Sequence, residues 1–104
     1  MALELDTVQQ DGGCLILAKG EVDLYSSPKL REAILKGAKS GGGALGVDLS
    51  NVSYMDSSGV ATLVEGLKAA GGPGNFVLVA PSHSVMKVLQ LSRLDAVFDI
   101  RDTL

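Results

Sequence analysis

Short apolar runs of strand length alternate with helical patterns along the chain, and this alternation limits the possible folds more than any other feature. Apolar and polar residues alternate over residues 3–9, which is typical of a half-buried strand. A turn signal at Asp11-Gly12-Gly13 separates this segment from a second strand over Cys14–Lys19. The two segments predict an antiparallel hairpin, and residues 20–23 are expected to leave the strand.

Three amphipathic helices are predicted after the hairpin. The first begins at residues 26–28, where serine caps free amides and proline fits the first helical position. It is expected to end near residue 40, at the glycines of 41–43. The second carries apolar residues at i, i+3, i+4 and i+7 from Val60 and ends near Ala70. The third follows Pro81-Ser82.

Three further strands separate and follow these helices. Ala44–Leu49 and Phe76–Val79 are short apolar runs typical of buried strands, and a last strand lies within Asp95–Ile100. Residues 50–59 are expected to form a polar loop. The order β-β-α-β-α-β-α-β predicts an α/β fold with a mixed sheet of about five strands and three helices.

Composition excludes several classes of function. The chain has 12 acidic and 9 basic residues, a formal charge of −3, which does not favour direct nucleic-acid binding. The lone Cys14 allows no internal disulfide and no multi-cysteine zinc site, and no metal or other cofactor is predicted. No apolar run reaches the length of a membrane span, about 18 residues, and the acidic N-terminus lacks a secretory signal. Direct membrane contact is therefore not expected, and the predicted location is the cytoplasm.

The densest polar cluster, Asp56-Ser57-Ser58-Gly59, lies just before the second helix. Free amides and the positive end of the helix dipole favour an anion there. A hydroxyl at this place can be a cap, a nucleophile or a phosphate acceptor, and Ser58 is the more natural cap. Capping alone explains these residue types, since Asp, Ser and Gly are common in any turn that leads into a helix.

Enzymatic use of these serines has little support in the sequence. The motif Gly-x-Ser-x-Gly is absent, and so are the glycine motifs that bind nucleotide phosphates. The only histidine, His83, is expected to be exposed in the first turn of the third helix. Small-molecule binding at the helix end stays open without a motif of its own. A second polar cluster follows the second strand and includes Asp23, Tyr25 and Ser26; it is expected at the same end of the sheet.

Several segments together resemble a known family. Residues 48–60, around Asp56-Ser57-Ser58-Gly59, resemble the signature of anti-sigma factor antagonists, which are small single-domain STAS proteins. Residues 20–31 resemble the family's second motif, and Gly71-Gly72, residues 76–79 and residues 88–94 also fit its pattern. The resemblance covers nearly the whole chain and implies one STAS domain over residues 1–104.

The resemblance implies a regulatory function without catalysis. Such proteins bind an anti-sigma factor that is also a serine kinase, and this binding releases the sigma factor. The kinase phosphorylates the serine after the loop's Asp, here Ser57, which ends binding, and a phosphatase of the PP2C type restores it. The implied free state is a monomer. The implied partner-binding residues are Asp23, Ser26, Asp56, Ser57, Ser58 and Gly59. Tyr25 is added to them as an expected apolar contact; the alternative for Tyr25 is an aromatic side chain packed within the loop.

Two features depart from the family. Many members have a further C-terminal helix, whereas this chain reaches only Leu104, which leaves at most a short remnant of it. Gly46 replaces a bulky aliphatic residue in the central strand, which makes core packing there an open question.

The alternative function is a constitutive STAS subunit of a lipid-transport or signalling assembly. An enzyme with Ser57 or Ser58 as nucleophile is a third hypothesis.

Overall fold

The computed structural model describes residues 2–10, 12–40 and 43–104. Asp11 of the predicted hairpin turn, and Gly41 and Gly42 of the predicted helix end, lie outside the described residues. The described part contains five strands and three helices. Their bounds are β1 Glu4–Gln10, β2 Gly13–Val22, α1 Ser27–Lys39, β3 Ala44–Met55, α2 Ser57–Ala70, β4 Phe76–Val79, α3 His83–Leu91 and β5 Asp99–Arg101.

The five strands form one mixed sheet in the order β1-β2-β3-β4-β5. β1 pairs antiparallel with β2 without a break in register, and the other three pairs are parallel. The strands of each parallel pair are joined through a helix, because the chain must cross back to the end of the sheet at which the first strand began before the second strand can run in the same direction. The predicted α/β class, the hairpin and the count of three helices are confirmed.

All three helices pack on one face of the sheet. Alternate residues of β2, β3 and β4 point to that face, including Ile16, Val47 and Leu78, and each is fully buried. The helices contribute aliphatic side chains to the same core: Leu30 and Ile34 from α1, Leu63 and Leu67 from α2, and Val85 and Leu89 from α3. Within the described part of the chain, no helix is both long and apolar enough to cross a membrane.

Three predicted boundaries are wrong, all at the end of the sheet where the polar clusters lie. One is the start of α2, which begins at Ser57 and not at Val60, so residues 57–59 are helical and not part of a loop. β2 continues to Val22 and β3 continues to Met55, so residues 50–55 form a strand and not a loop. The β2–β3 ladder shifts register at two places, between Leu17 and Lys19 and between Gly20 and Glu21. These irregularities break the period-two alternation by which a strand is recognised in a sequence.

The second face of the sheet carries a smaller apolar cluster of Leu15, Val77 and Val79. Gly46 lies on this face, where a Cβ would come within 3.0 Å of the side chains of both Leu15 and Leu104. Leu104 therefore covers the strand at the point where a bulky residue is missing. The packing question raised by Gly46 has a structural answer, since neighbouring leucines occupy that space.

Candidate functional site

The two polar clusters meet at the carboxyl ends of β2 and β3. The backbone N–H of Asp56, after β3, donates a hydrogen bond of 3.1 Å to the carbonyl oxygen of Val22, the last residue of β2. Because β2 and β3 are parallel, the loops that follow them lie at the same edge of the sheet. The structure therefore brings the two predicted clusters together.

A tight turn built on the Asp23 carboxylate forms the first loop. Its Oδ1 accepts hydrogen bonds from the backbone N–H groups of Tyr25 and Ser26, both at 2.9 Å. The Ser26 hydroxyl donates to the carbonyl of Glu21 and accepts from the N–H of Asp23, again at 2.9 Å. Ser26 flanks α1 but makes no side-chain cap bond, so its predicted capping role is wrong: its hydroxyl closes the preceding turn instead.

This turn presents exposed apolar side chains. Tyr25 is 90% exposed and Leu24 is 67% exposed, although both sit on a hydrogen-bonded turn. Tyr54, which pairs with Glu21 across β2 and β3, is 49% exposed. The exposure of Leu24 and Tyr54 at this end of the sheet was not predicted from the sequence. A leucine between Asp23 and Tyr25 in an otherwise polar loop was the available signal for Leu24.

Asp56 is the N-cap of α2. Its Oδ1 accepts from the backbone N–H groups of Ser58 at 3.0 Å and Gly59 at 3.3 Å, and also from the Ser58 hydroxyl. The prediction that Ser58 caps this helix is therefore wrong. A carboxylate one position before the helix reaches the free amides of its first turn. Its negative charge is also stabilised by the positive end of the helix dipole.

Ser57 differs from Ser58 in exposure and in bonding. Ser57 is the first residue of α2 and is exposed, and its hydroxyl makes no hydrogen bond within the described residues. Ser58 is half-buried, and its hydroxyl is bonded to Asp56. Of the two hydroxyl groups, the one of Ser57 is therefore the more accessible to a reagent from solvent.

Gly59 fixes the position of α2 relative to the sheet. It is buried, and a Cβ there would lie 2.6 Å from Cγ of Met55 and 2.8 Å from Cγ1 of Val22. A side chain at this position would push the start of α2 away from the ends of β2 and β3. The close approach that this glycine permits is therefore internal to the fold.

Both carboxylates of the site are stabilised in the ionised form. Hydrogen bonding from Ser58 lowers the pKa of Asp56, although the nearby charge of Asp23 opposes the shift. The pKa of Asp23 is lowered chiefly by the backbone N–H of Ser26. At neutral pH the residue before Ser57, Asp56, is therefore negatively charged, and the charge of Asp23 is close enough to act on it.

Other chemistry has little support at this site. His83 is exposed in the first turn of α3, as expected, and within the described part it makes no hydrogen bond to either serine. No group of three or more His, Cys, Asp or Glu among the described residues is arranged to hold a metal ion.

Comparison with known proteins identifies the family. The family model of the STAS domain matches residues 4–104. The anti-sigma-B factor antagonist of Bacillus subtilis is 35% identical over 96% of this chain and 84% of its own length. The crystal structure of an anti-sigma factor antagonist from Mycobacterium paratuberculosis is 27% identical, with a TM-score of 0.89 over 99% of this chain and 88% of that one.

The anti-sigma factor antagonist SpoIIAA is similar in two states. Its unphosphorylated form is 28% identical, with a TM-score of 0.69 over 95% of this chain and 87% of that one. The phosphorylated form from Bacillus is 25% identical, with a TM-score of 0.66 over 95% and 90%. The family model, the relatives and the shared fold show that the chain belongs to the STAS family, among its anti-sigma factor antagonists.

Proposed function

We propose that the unphosphorylated protein binds an anti-sigma factor that is also a serine kinase, and that this binding releases a sigma factor. The kinase phosphorylates Ser57, which ends the interaction, and a phosphatase of the PP2C type restores it. In this proposal the chain acts as one STAS domain, monomeric when free, in the cytoplasm. It is a substrate of both enzymes and catalyses no reaction itself.

The observation that carries the proposal is the contrast between the two serines. The Ser57 hydroxyl is exposed and has no hydrogen-bond partner among the described residues, so phosphoryl transfer to it requires no break in the fold. Transfer to Ser58 would remove its bond to Asp56 at the start of α2. The similarity to a protein solved in both unphosphorylated and phosphorylated forms agrees with a switch of this kind.

The charge added by phosphorylation acts at the surface and not in the core. A phosphoserine carries about −1.5 to −2 charges at pH 7. At the first residue of α2 the helix dipole partly offsets this charge, so the fold is expected to persist. A partner surface fitted to a neutral hydroxyl beside Asp56 and Asp23 would instead meet a third negative group, which costs affinity through repulsion and desolvation.

The proposed partner surface combines the switch with apolar contacts. It includes the turn of Asp23 and Ser26, the exposed side chains of Leu24 and Tyr25, and the loop of Asp56, Ser57 and Ser58, with Gly59 holding α2 in place. Tyrosine on a rigid turn supplies contact area at low entropic cost and is common at the energetic centres of interfaces, and Leu24 adds apolar area beside it.

Incubation with Mg-ATP and a lysate of the native organism tests the proposal. Intact-mass and peptide mapping are expected to show one phosphoryl group, on Ser57. The Ser57→Ala variant should remain unmodified, whereas the Ser58→Ala variant, which lacks the neighbouring hydroxyl, should still be phosphorylated. No modification, under conditions where a known antagonist–kinase pair reacts, would contradict the proposal and favour the constitutive subunit.

A further inference from the structure

A groove between the edge strand β1 and helix α1 is separate from the Ser57 site. Its cavity volume is about 540 Å³, within the range of small-ligand sites. Within the described part of the chain, β1 is the edge strand of the sheet and pairs with β2, and Leu5, Thr7 and Gln9 on its helix-facing side line the groove. The floor is formed by Leu5, Cys14, Ala33 and Gly37, and Cys14 is 5% exposed.

The groove is elongated because β1 and α1 both run along it. Leu5 and Gln9 mark its length on the strand, about 14 Å at the usual rise per residue. Positions 33 and 37 of α1 carry small residues, so the helix side of the floor holds no bulky side chain. Gly37 already lies against the core, since a Cβ there would come within 2.8 Å of Leu45. The shape suits a narrow linear chain better than a planar ring system.

The two ends of the groove differ in chemistry. At the upper end, the Nζ of Lys29 donates a 2.8 Å hydrogen bond to the carbonyl of Leu3, which ties the helix to the start of β1. At the lower end lie Lys36 on the helix and Gln9 on the strand. Within residues 2–10, 12–40 and 43–104, Lys36 forms no ion pair or hydrogen bond.

We propose that this groove binds a linear aliphatic carboxylate. The chain would lie on the apolar floor, and the carboxylate would pair with the Lys36 ammonium and accept from the Gln9 amide. Among the described residues, Glu32 is the one acidic residue that lines the groove, against the two lysines Lys29 and Lys36, so the charge balance of this lining favours an anion over a cation. The proposal concerns a flank of the molecule and does not depend on the switch at Ser57.

Titration of the 15N-labelled protein with decanoate, below the concentration at which it forms micelles, tests the proposal by NMR. We expect saturable shifts in the amides of β1 and of residues 33–37, with a dissociation constant of about 0.1–1 mM. Decanol, which lacks the carboxylate, should bind about two- to fivefold more weakly. Ser57→Asp should leave the decanoate affinity unchanged.

Matched variants identify the groups that bind. Lys36→Glu should weaken decanoate binding at least about fivefold, whereas Lys39→Glu, the same charge change on the same helix outside the groove, should leave it within about twofold. Ala33→Leu, which fills the floor, should abolish the shifts while the rest of the spectrum shows a folded protein. Scattered or non-saturable shifts, equal effects of the two lysine variants, or unchanged binding by Ala33→Leu would overturn the proposal.

Discussion

At the scale of single residues, the adjacent serines Ser57 and Ser58 differ because the Asp56 carboxylate accepts hydrogen bonds from Ser58 and none from the Ser57 hydroxyl. Asp56 bonds the amide and hydroxyl of Ser58, which leaves the Ser57 hydroxyl exposed at the start of α2. The pattern Asp-Ser-Ser-Gly was visible in the sequence, but the choice of cap was not. Both Asp and Ser are good N-caps, and only the point at which the β3 backbone turns into α2 decides which of them stands before the first helical residue.

Removal of the Asp56 cap should destabilise the fold. Asp56→Ala is expected to lower the free energy of unfolding by about 1 kcal/mol, because two amides of the first helical turn lose their acceptor. Urea unfolding measures this change, with Asp102→Ala as the control at an exposed aspartate that makes no bond within the described part. Equal stability of the two variants would contradict the capping role.

The pH dependence of stability should include a contribution from the same carboxylate. The pKa of Asp56 is lowered in the folded state from the ordinary value of 3.8, so its stabilisation is present above that value and is lost as pH falls through the folded pKa. The difference in unfolding free energy between the native protein and Asp56→Asn should therefore be larger at pH 7 than at pH 3. A difference that stays constant or grows at low pH would show that the charge of Asp56 does not stabilise the fold.

At the scale of elements, the sequence predicted each helix and strand but not where two strands end. Val52 and Met55 are buried, yet they lie three residues apart, because the β2–β3 ladder shifts register between them, where Gly20 pairs with Val52 and the next residue, Glu21, pairs with Tyr54. That spacing resembles a loop with apolar anchors. Only the pairing with β2, which is a long-range contact, shows that residues 50–55 continue the strand and set the start of α2.

The junction between β3 and α2 depends on a glycine. Gly59→Ala should cost about 1–3 kcal/mol, because the added Cβ overlaps Met55 and Val22. In a Met55→Ala background the same substitution should cost clearly less, which chemical denaturation of the four proteins in a double-mutant cycle measures. Purely additive costs would mean that Met55 is not the obstacle.

At the scale of the whole molecule, the proposed partner-binding site and the proposed ligand groove lie at different places on the fold. The turn of Asp23 and the loop of Asp56 share the edge formed by the carboxyl ends of β2 and β3, the β1–α1 groove lies on one flank, and the helix-free face is covered by Leu15 and Leu104. The family resemblance gave the residues of the first site. A leucine in a polar loop was the sequence signal for Leu24, but its exposure and the groove depend on which surfaces the fold leaves uncovered.

Exposed leucines at opposite ends of the molecule test where the partner binds. Leu24→Ala should weaken partner binding about tenfold or more, because a leucine side chain buried by the partner contributes about 1.5 kcal/mol or more of apolar transfer free energy. Leu91→Ala is the matched control, since Leu91 is 78% exposed at the end of α3 that points away from the site. Calorimetry with the captured kinase would measure both, and equal losses would place the interface elsewhere.

The central claim is that a phosphoryl group on Ser57 ends binding without unfolding the protein. The most direct measurement is the affinity for the kinase captured by the unphosphorylated protein, before and after stoichiometric phosphorylation, with thermal unfolding of both forms. We expect an affinity loss of about 100-fold or more, since repulsion at an interface costs several kcal/mol, with nearly unchanged stability. Equal affinity of the two forms, or loss of binding only through unfolding, would contradict the account.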